Sequence, residues 1–475
     1  MGPPDDDPPE TGPHEALAAL WGAAGLPRDA LGTLELPGGG PVLPSSFAVA
    51  TAAQASLGAA ALAAASYGRL RGCGPARVAV ARRDAVAEAT AWFALDGRVP
   101  DPWDPLSGLY PCGDGREPGW VRIHANFAHH REAALRVLGL APGADRDDVG
   151  RALRGWRAED VEAAAAGAGA VVAAARTFAQ WDAHPQAGAI AGRPTVSIER
   201  IGDGPPIAPP ASDDARRPLR GLRVLDLTRI LAGPVAGRTL AAAGADVLLV
   251  NAPRLPNVDA IADTSRGKRS AHVDLRDPAG RDALRALLRD AHVLQQGYRP
   301  GALDALGFGP AALAAMRPGL VVVSLSAYGD VGPWAGRRGF DSLVQTATGF
   351  NDAEARAAGV GTPRAMPVQI LDFSAGWLMA FGATAALHRQ ATEGGSWLVR
   401  VSLAGTGRWL RGLGRVRGGL ATAAPAFDDR RESADSGFGR LEAIAHAARY
   451  DGSAVRWARA SMPPGTHPAS WAGFE

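Results

Sequence analysis

The run Arg223-Val224-Leu225-Asp226-Leu227-Thr228 predicts a buried strand, because it is short, mostly apolar and followed by a glycine-containing loop. A helix is predicted next, over residues 233–243, and then a second strand over residues 246–250. Strands that alternate with helices favour an α/β fold, here a doubly wound, Rossmann-like and mostly parallel sheet. The remaining predicted elements of this region are strands at 272–275, 292–294 and 320–325 and helices at 281–289 and 311–316.

Sheets of this kind bind ligands outside the carboxyl ends of their strands, where helix N-termini point. A dinucleotide would be the default ligand. However, the loop after the first strand is Thr228-Arg229-Ile230-Leu231-Ala232-Gly233-Pro234, which lacks the GxGxxG pattern, and the second strand ends at Asn251, where NAD binding needs an acid. The sequence therefore argues against an NAD site.

Composition narrows the classes of partner. The chain has 475 residues, enough for two to three domains, and 47% of them are hydrophobic. Its 50 basic residues, all arginine except Lys268, are balanced by 48 acidic ones, so no nucleic-acid partner is expected. Two cysteines without a CxxC pair predict neither a disulfide framework nor a metal site. The uncharged runs at 47–67 and 373–387 are predicted to be buried helices, and no membrane partner and a cytoplasmic location are expected.

The chain divides near its middle. Residues 206–217 are rich in proline and then acidic, which predicts a linker. An internal echo crosses this linker, since the helix, glycine turn and strand at residues 54–81 recur at residues 375–402. The predicted organisation is a disordered or weakly structured tail at 1–43, a region with a smaller α+β domain at 44–205, the linker, a Rossmann-like large domain at 218–405 and a C-terminal extension at 406–475.

Several motifs in the second half follow one another in a fixed order. Over residues 218–376 they are PLRGLRVLDLTRILAGP from Pro218, AAGADV from Ala242, GKRS from Gly267, YRPG from Tyr298, SLSAYG from Ser324, GFD from Gly339 and LDFSAG from Leu371. This series closely resembles the class III (CaiB/BaiF-type) CoA-transferases. Residues near 45–205 are similar to the C-terminal part of the same family, including its small domain. The order of the halves is thus inverted, as in a circular permutation or the remnant of a tandem fusion.

The resemblance implies a CoA-transferase that moves CoA from an acyl-CoA donor to a free carboxylic acid. CoA and acyl-CoA would be substrates, with no tightly bound cofactor, and the protein would form a homodimer, in the family an interlocked one. Asp372 matches the nucleophilic aspartate of the family, which forms an aspartyl-CoA intermediate. Because Asp372 precedes a long apolar run, it is expected at a helix N-terminus, where the dipole and free amides favour its anion.

The CoA contacts that the resemblance implies lie mostly in loops of the second half. Lys268 and Arg269 match the family's basic pair beside the nucleotide, and Lys268 is expected to contact a phosphate as a point charge. The other expected contacts are Arg229, Ala232, Gly233, Tyr298, Arg299, Tyr328 and Arg338.

Three departures from the family pattern keep other functions open. Asn251 stands where the family commonly has glutamate, Gly297 stands where asparagine is usual, and the glycine-rich loop over the intermediate is not identifiable. One alternative is an acyl-CoA racemase or epimerase of the same fold, although its histidine would fall at Phe340, which cannot transfer a proton. Another is a non-catalytic CoA-binding homologue. Thr51 occupies the Asp372 position in the half-copy and cannot be a second nucleophile.

A cluster of three histidines in the first half is a candidate metal site. His124, His129 and His130 surround Asn126-Phe127-Ala128, but no carboxylate or fourth ligand stands at a suitable spacing. No metal site is therefore expected.

Overall fold

The protein is described by a computed structural model that covers residues 8–113, 115 and 117–473. Its helices are Pro13–Ala24 (α1), Val49–Leu70 (α2), Arg82–Ala89 (α3), Ala128–Val137 (α4), Arg146–Leu153 (α5), Ala158–Ala168 (α6), Phe178–Asp182 (α7), Pro185–Ile190 (α8), Ala232–Ala242 (α9), Ile261–Thr264 (α10), Pro278–Leu288 (α11), Pro310–Met316 (α12), Asp341–Ala347 (α13), Phe350–Ala358 (α14), Ile370–Glu393 (α15) and Leu403–Gly412 (α16).

The strands complete the element order. They are Leu34–Glu35 (β1), Val78–Val80 (β2), Phe93–Leu95 (β3), Gly108–Cys112 (β4), Gly119–Ile123 (β5), Val172–Ala174 (β6), Ser197–Gly202 (β7), Arg223–Leu227 (β8), Asp246–Asn251 (β9), Arg269–His272 (β10), Val293–Gln296 (β11), Val321–Ser326 (β12), Ser396–Ser402 (β13), Arg431–Ser436 (β14), Gly439–Ile444 (β15), Ala448–Tyr450 (β16) and Ser453–Ala454 (β17).

A seven-stranded sheet in the order β10-β9-β8-β11-β12-β13-β7 organises the large domain. Its first six strands are parallel, and β7 pairs antiparallel with β13. The predicted α/β, mostly parallel fold is confirmed. The strand predicted at residues 272–275 lies three residues earlier, at Arg269–His272, because the pairing with β9 ends at Asn251.

The apolar runs of the central strands supply two cores, since successive side chains of a strand point to opposite faces. On one face Val224, Val247 and Val293 pack with α9 and α15. On the other face Leu225, Leu248 and Leu294 pack with leucines of α11 and α12. Burial on both faces explains why these strands show no polar alternation.

Helices α2 and α15 form the centre of the molecule and pack against each other. Both are long and apolar enough to span a membrane by length and composition, yet the apolar 18-residue stretch of each is buried within the fold. Their small residues allow this close approach. At Gly382 of α15, for example, an added Cβ would lie 2.5 Å from Val399 Cγ1 of β13. The structure therefore uses both helices as core helices, as predicted.

A smaller α+β unit stands beside the large sheet. Strands β4, β5 and β6 form an antiparallel sheet, which α4, α5 and α6 cover to give a separate apolar core. The opposite face of β5 turns toward the large domain. The small unit thus contributes side chains to the space above the large sheet.

Two predicted boundaries change. Within the tail assigned to residues 1–43, Pro13–Ala24 is a helix whose Leu17 and Trp21 are fully buried, so the described part of this segment is not disordered; residues 1–7 lie outside the described range. Strand β7 belongs to the large sheet although it precedes the linker. The C-terminal extension is folded onto the first half, where β15 pairs with β3 and β16 pairs with β2.

Candidate active site

A basic cavity of about 470 Å³ lies at the carboxyl ends of the parallel strands. Side chains that follow β8, β9, β11 and β12 line it, as expected for the ligand site of a doubly wound sheet. Its walls include the arginines Arg229, Arg254, Arg276, Arg299, Arg337 and Arg338, and no carboxylate of the described residues lines it. Such a surface matches a ligand that carries several phosphate charges.

Asp274 stands behind part of this wall. Its carboxylate contacts Arg254 at 3.4 Å and Arg276 at 2.6 Å. These two ion pairs hold two of the guanidinium groups in place, and one carboxylate neutralises only part of their combined charge. The cavity therefore stays strongly positive.

A second cavity, of about 880 Å³, opens beside the first. Aromatic and aliphatic side chains dominate its walls, among them Trp92, Trp103 and Phe427, and the carboxyl of Asp372 lies in it. A mostly apolar cavity with a few polar groups is typical of small-molecule sites.

Three side chains line both cavities, so the two cavities are adjacent and share a wall. They are Phe127 from the small unit, Ile230 from the loop after β8, and Phe340 from the residue before α13. Ile230 has φ +78°, a left-handed conformation that is unfavourable for a β-branched residue. Strain of this kind is common at binding sites, where the surrounding structure enforces it. A ligand with a charged part and an apolar part can extend through this junction.

Asp372 lies in the first turn of α15, as predicted, but it does not cap that helix. The carboxylate of Asp341, the first residue of α13, accepts the backbone N–H of Asp372 at 2.9 Å and the amide of Leu371. Asp341 also accepts a hydrogen bond from Gln345 Nε2 and has no exposed surface. The amides at this helix N-terminus therefore stabilise the anion of Asp341.

Both carboxyls have a raised pKa, and Asp341 contributes to the shift of Asp372. Burial is the larger cause for both groups: it raises the pKa of Asp341 to about 6, against the opposing effect of the amide hydrogen bonds and Arg122. Burial and the nearby Asp341 raise the pKa of Asp372 well above its usual range. This differs from the expected lowering, because Asp341 already occupies the amides that were assigned to Asp372. The ligand-free site favours one negative charge over two.

Four of the predicted CoA contacts lie in the basic cavity: Arg229, Tyr298, Arg299 and Arg338. Arg338 also donates to the carbonyl of Gly169, which ties this wall to the small unit. The structure thus brings together residues from three separate loops of the sequence.

Lys268 lies outside the basic cavity. Its ammonium donates to Asp226 Oδ2 at 2.8 Å and to the Pro234 carbonyl at 2.8 Å, and the residue is 1% exposed. An added Cβ at Gly237 would lie 2.8 Å from Lys268 Nζ, so the glycine lets α9 pass close over this ammonium. The prediction of a phosphate contact is wrong here, because a buried and already paired ammonium cannot reach the cavity.

The other predicted contacts also lie outside the cavity. Arg269 donates to the Ala472 carbonyl, and Tyr328 is 2% exposed and packs on Trp334 with ring centroids 4.9 Å apart. Ala232 and Gly233 are buried in the first turn of α9. A Cβ at Gly233 would lie 2.3 Å from Thr228 Cβ, so its close approach serves helix–loop packing and not a ligand.

The half-copy has no matching site. The Thr51 hydroxyl, at the position equivalent to Asp372, donates to the Glu10 carboxylate, and Arg82 pairs with the same carboxylate at 2.5 Å. An internal carboxylate thus fills this place. Among the described residues, no group of three or more His, Cys, Asp or Glu side chains is arranged to hold a metal ion.

Residues 219–414 match the family model of CoA-transferase family III. This part of the chain belongs to CoA-transferase family III. It contains Asp341, Asp372 and most of the basic cavity, whereas the small unit lies outside the matched range.

Named relatives agree with the family III match. The chain is 33% identical over 208 residues to the "Probable fatty acyl-CoA transferase" of Mycobacterium tuberculosis, covering 41% of this chain and 52% of that protein. It is 30% identical over 330 residues to an acyl-CoA transferase of Gibberella moniliformis, covering 67% and 54%. It is 31% identical over 195 residues to a formyl-CoA:oxalate CoA-transferase of Rhodopseudomonas palustris, covering 37% and 44%. The chain spans about half the length of these relatives.

Sequence reasoning missed five residues that lie at these two cavities or beside the carboxyl pair. Arg254 and Arg276 each follow the end of a parallel strand by three or four residues, a position that could have marked them as ligand contacts. Asp341 was visible only as part of a motif. Arg122 and His124 come from the small unit, and no local pattern predicts that β5 places them over the large domain.

Proposed function

We propose that the chain is a CoA-transferase that moves CoA from an acyl-CoA donor to a free carboxylic acid through an aspartyl-CoA thioester on Asp372. The observation that carries this proposal is the position of Asp372, which lines an apolar cavity adjacent to a cavity walled by six arginines. The basic cavity suits the phosphates of CoA, and the apolar cavity suits the acyl group.

The reaction balances without a further reactant. A carboxylate oxygen of Asp372 attacks the thioester carbonyl carbon, and the C–S bond breaks. CoA leaves as a thiolate, and the acyl group stays on Asp372 as a mixed anhydride. The thiolate then attacks the aspartyl carbonyl, which releases the donor acid and leaves the aspartyl-CoA thioester. The acceptor carboxylate repeats the two steps in reverse order, and the Asp372 carboxylate is regenerated.

The raised pKa of Asp372 sets a condition on the first step. Only the carboxylate is nucleophilic, so its proton must leave when the donor binds. Burial and Asp341 oppose that loss, so the bound substrate must favour the carboxylate before the reaction can begin.

The cavity also indicates the size of the acyl group. An apolar space of about 880 Å³ is larger than a small dicarboxylate requires and lies in the range that holds drug-sized ligands. We therefore expect bulky apolar acyl groups to be better substrates than formyl or acetyl groups.

Trapping tests the transferase proposal directly. The protein is incubated with a panel of short, branched, aromatic and long-chain acyl-CoA thioesters, treated with hydroxylamine and digested for mass spectrometry. A hydroxamate on Asp372 is expected, and Asp372→Asn is expected to give none. No hydroxamate from any member of the panel would sink the proposal.

The racemase alternative needs a proton-transfer group beside the α-carbon. Phe340 supplies none, and the nearby His124 is a weak base because burial lowers its pKa to about 3. Deuterium uptake at the α-carbon of an acyl-CoA is therefore not expected. Robust uptake without an acceptor acid would favour a racemase.

A further inference from the structure

The small unit presents His124 to the candidate active site. Along β5, Val121 and Ile123 point into the small core, so Arg122 and His124 face the large domain. His124 directly follows the strand, and its backbone N–H donates to the Val171 carbonyl at 3.0 Å. This bond fixes the backbone from which the imidazole extends.

The imidazole is held by an aromatic stack. Its ring lies on Phe340 with centroids 3.9 Å apart and an interplanar angle of 13°, and the Trp103 ring meets it at 76°. Phe340 adjoins Asp341, which is bonded to the Asp372 amide. His124 therefore stands close in the structure to the carboxyl pair, and it lines the same apolar cavity as Asp372.

One nitrogen of this ring, Nδ1, has no hydrogen bond to another residue in the described part of the protein. It is buried, and the residue as a whole is 6% exposed. Leaving a buried polar atom unpaired destabilises the folded state, and such atoms are rare in folded proteins. A ligand group in the cavity is the natural partner for an imidazole in this position.

The protonation state limits what that partner can be. Burial, His130 and Arg122 lower the pKa of His124 to about 3, so the imidazole is neutral near neutral pH. A neutral imidazole offers one N–H donor and one acceptor. It can donate to a carbonyl oxygen without being consumed as an acid, and it is too weak a base for a carbon acid.

We propose that His124 is a catalytic residue whose imidazole N–H hydrogen-bonds the carbonyl oxygen of the acyl group that Asp372 attacks. This inference rests on the transferase function proposed above. The carbonyl oxygen gains negative charge as the Asp372 oxygen adds to the carbon, so a donor fixed by the Phe340 stack stabilises the tetrahedral state more than the ground state.

Two substitutions separate this role from packing. His124→Phe keeps an aromatic ring on Phe340 and removes the donor, while His124→Gln keeps an N–H and loses the stack. His14→Gln, at an exposed position of α1, is the control. With the full-length protein and an acyl-CoA that gives trapping, we expect His124→Phe to lower kcat about 100-fold with the KM for acyl-CoA changed less than about threefold. His124→Gln is expected to recover part of that loss.

Binding of a stable ketone analogue gives a readout that needs no turnover. In acyl-dethia-CoA a methylene replaces the thioester sulfur, so the carbonyl remains and no thiolate can leave. His124→Phe should raise the Kd of this analogue about five- to tenfold, as expected for one lost hydrogen bond, and leave the Kd of CoA unchanged. A purely structural role predicts the larger loss in His124→Gln.

The outcomes distinguish the two proposals. If wild type forms the Asp372 hydroxamate and His124→Phe keeps both its kcat and its affinity for the ketone analogue, the role of His124 is wrong and the transferase function stands. If wild type forms no hydroxamate with any thioester, the transferase function fails, and the His124 role fails with it.

Discussion

The backbone N–H of Asp372 donates to Oδ2 of Asp341 at 2.9 Å. This bond places the Asp341 carboxylate, and not that of Asp372, at the positive end of α15. The Asp372 carboxyl is left in the apolar cavity with no hydrogen bond among the described residues. In the proposed mechanism the attacking oxygen of Asp372 is therefore open to the cavity and poorly stabilised as an anion, a combination that favours reactivity over stability.

Removal of the Asp372 charge should stabilise the fold and abolish turnover. In Asp372→Asn a neutral side chain of the same shape replaces a carboxyl that burial and Asp341 destabilise as an anion. We expect the midpoint of thermal unfolding to rise by about 2–4 °C at neutral pH, while transferase activity falls below about 0.1% of wild type. Calorimetry and a CoA-exchange assay measure the two effects.

Asp341→Asn is the matched comparison, because Asp341 accepts amide hydrogen bonds that Asp372 lacks. The midpoint of thermal unfolding of Asp341→Asn should fall. Equal shifts in the two variants would contradict the assigned division of roles.

The stabilising effect of Asp372→Asn should depend on pH. The pKa of both carboxyls is higher in the folded protein than in the unfolded chain. Below the ordinary carboxyl pKa both groups are protonated in either state and do not destabilise the fold. The free energy of unfolding then falls as pH rises through the pKa values of the folded protein, about 6 for Asp341. Asp372→Asn should therefore have little effect near about pH 4 and a growing effect toward about pH 8. Urea unfolding at both pH values tests this, and a larger effect at the acidic value would show that the sign is wrong.

The sequence predicted the fold well because its strongest signals are local. The apolar runs at β8, β9, β11 and β12 needed no tertiary information, and their carboxyl ends located the basic cavity. Asp372 was found through its motif. The pKa shift of Asp372 was not predicted, since it depends on Asp341. That residue is 31 positions away in the sequence and meets Asp372 only in the folded chain.

For Lys268, in contrast, the sequence pattern led to a wrong prediction of its role. It is the one lysine beside 49 arginines and was predicted to contact a phosphate, but the structure pairs it with the buried Asp226 and not with a ligand cavity. Composition does not reveal that Lys268 is buried, because its segment GKRS, residues 267–270, is as polar as an exposed loop. Arg122 and His124 were missed for a related reason: the site draws on a second unit whose docking is set by packing.

Lys268 should therefore matter for stability and not for CoA affinity. Lys268→Met leaves the fully buried Asp226 without its cation, and we expect a loss of about 3–5 kcal/mol in the free energy of unfolding. Urea denaturation gives this value. The double variant Lys268→Met/Asp226→Leu should recover much of the loss, because it removes the unpaired charge. A phosphate contact would instead show as a raised Kd for CoA with unchanged stability.

Arg299 is expected to bind the phosphates of CoA, because it lines the basic cavity in the loop after β11. Arg299→Gln should raise the Kd of CoA about five- to tenfold at low ionic strength, and less at high salt, since exposed charges are screened. Isothermal titration with CoA and with pantetheine, which carries no phosphate, measures the effect. Arg289→Gln is the control, as Arg289 is an exposed arginine just after α11 and outside the cavity. Pantetheine binding should be unchanged in both variants, so an equal loss for pantetheine and CoA in Arg299→Gln would mean that this arginine supports the cavity and does not contact phosphate.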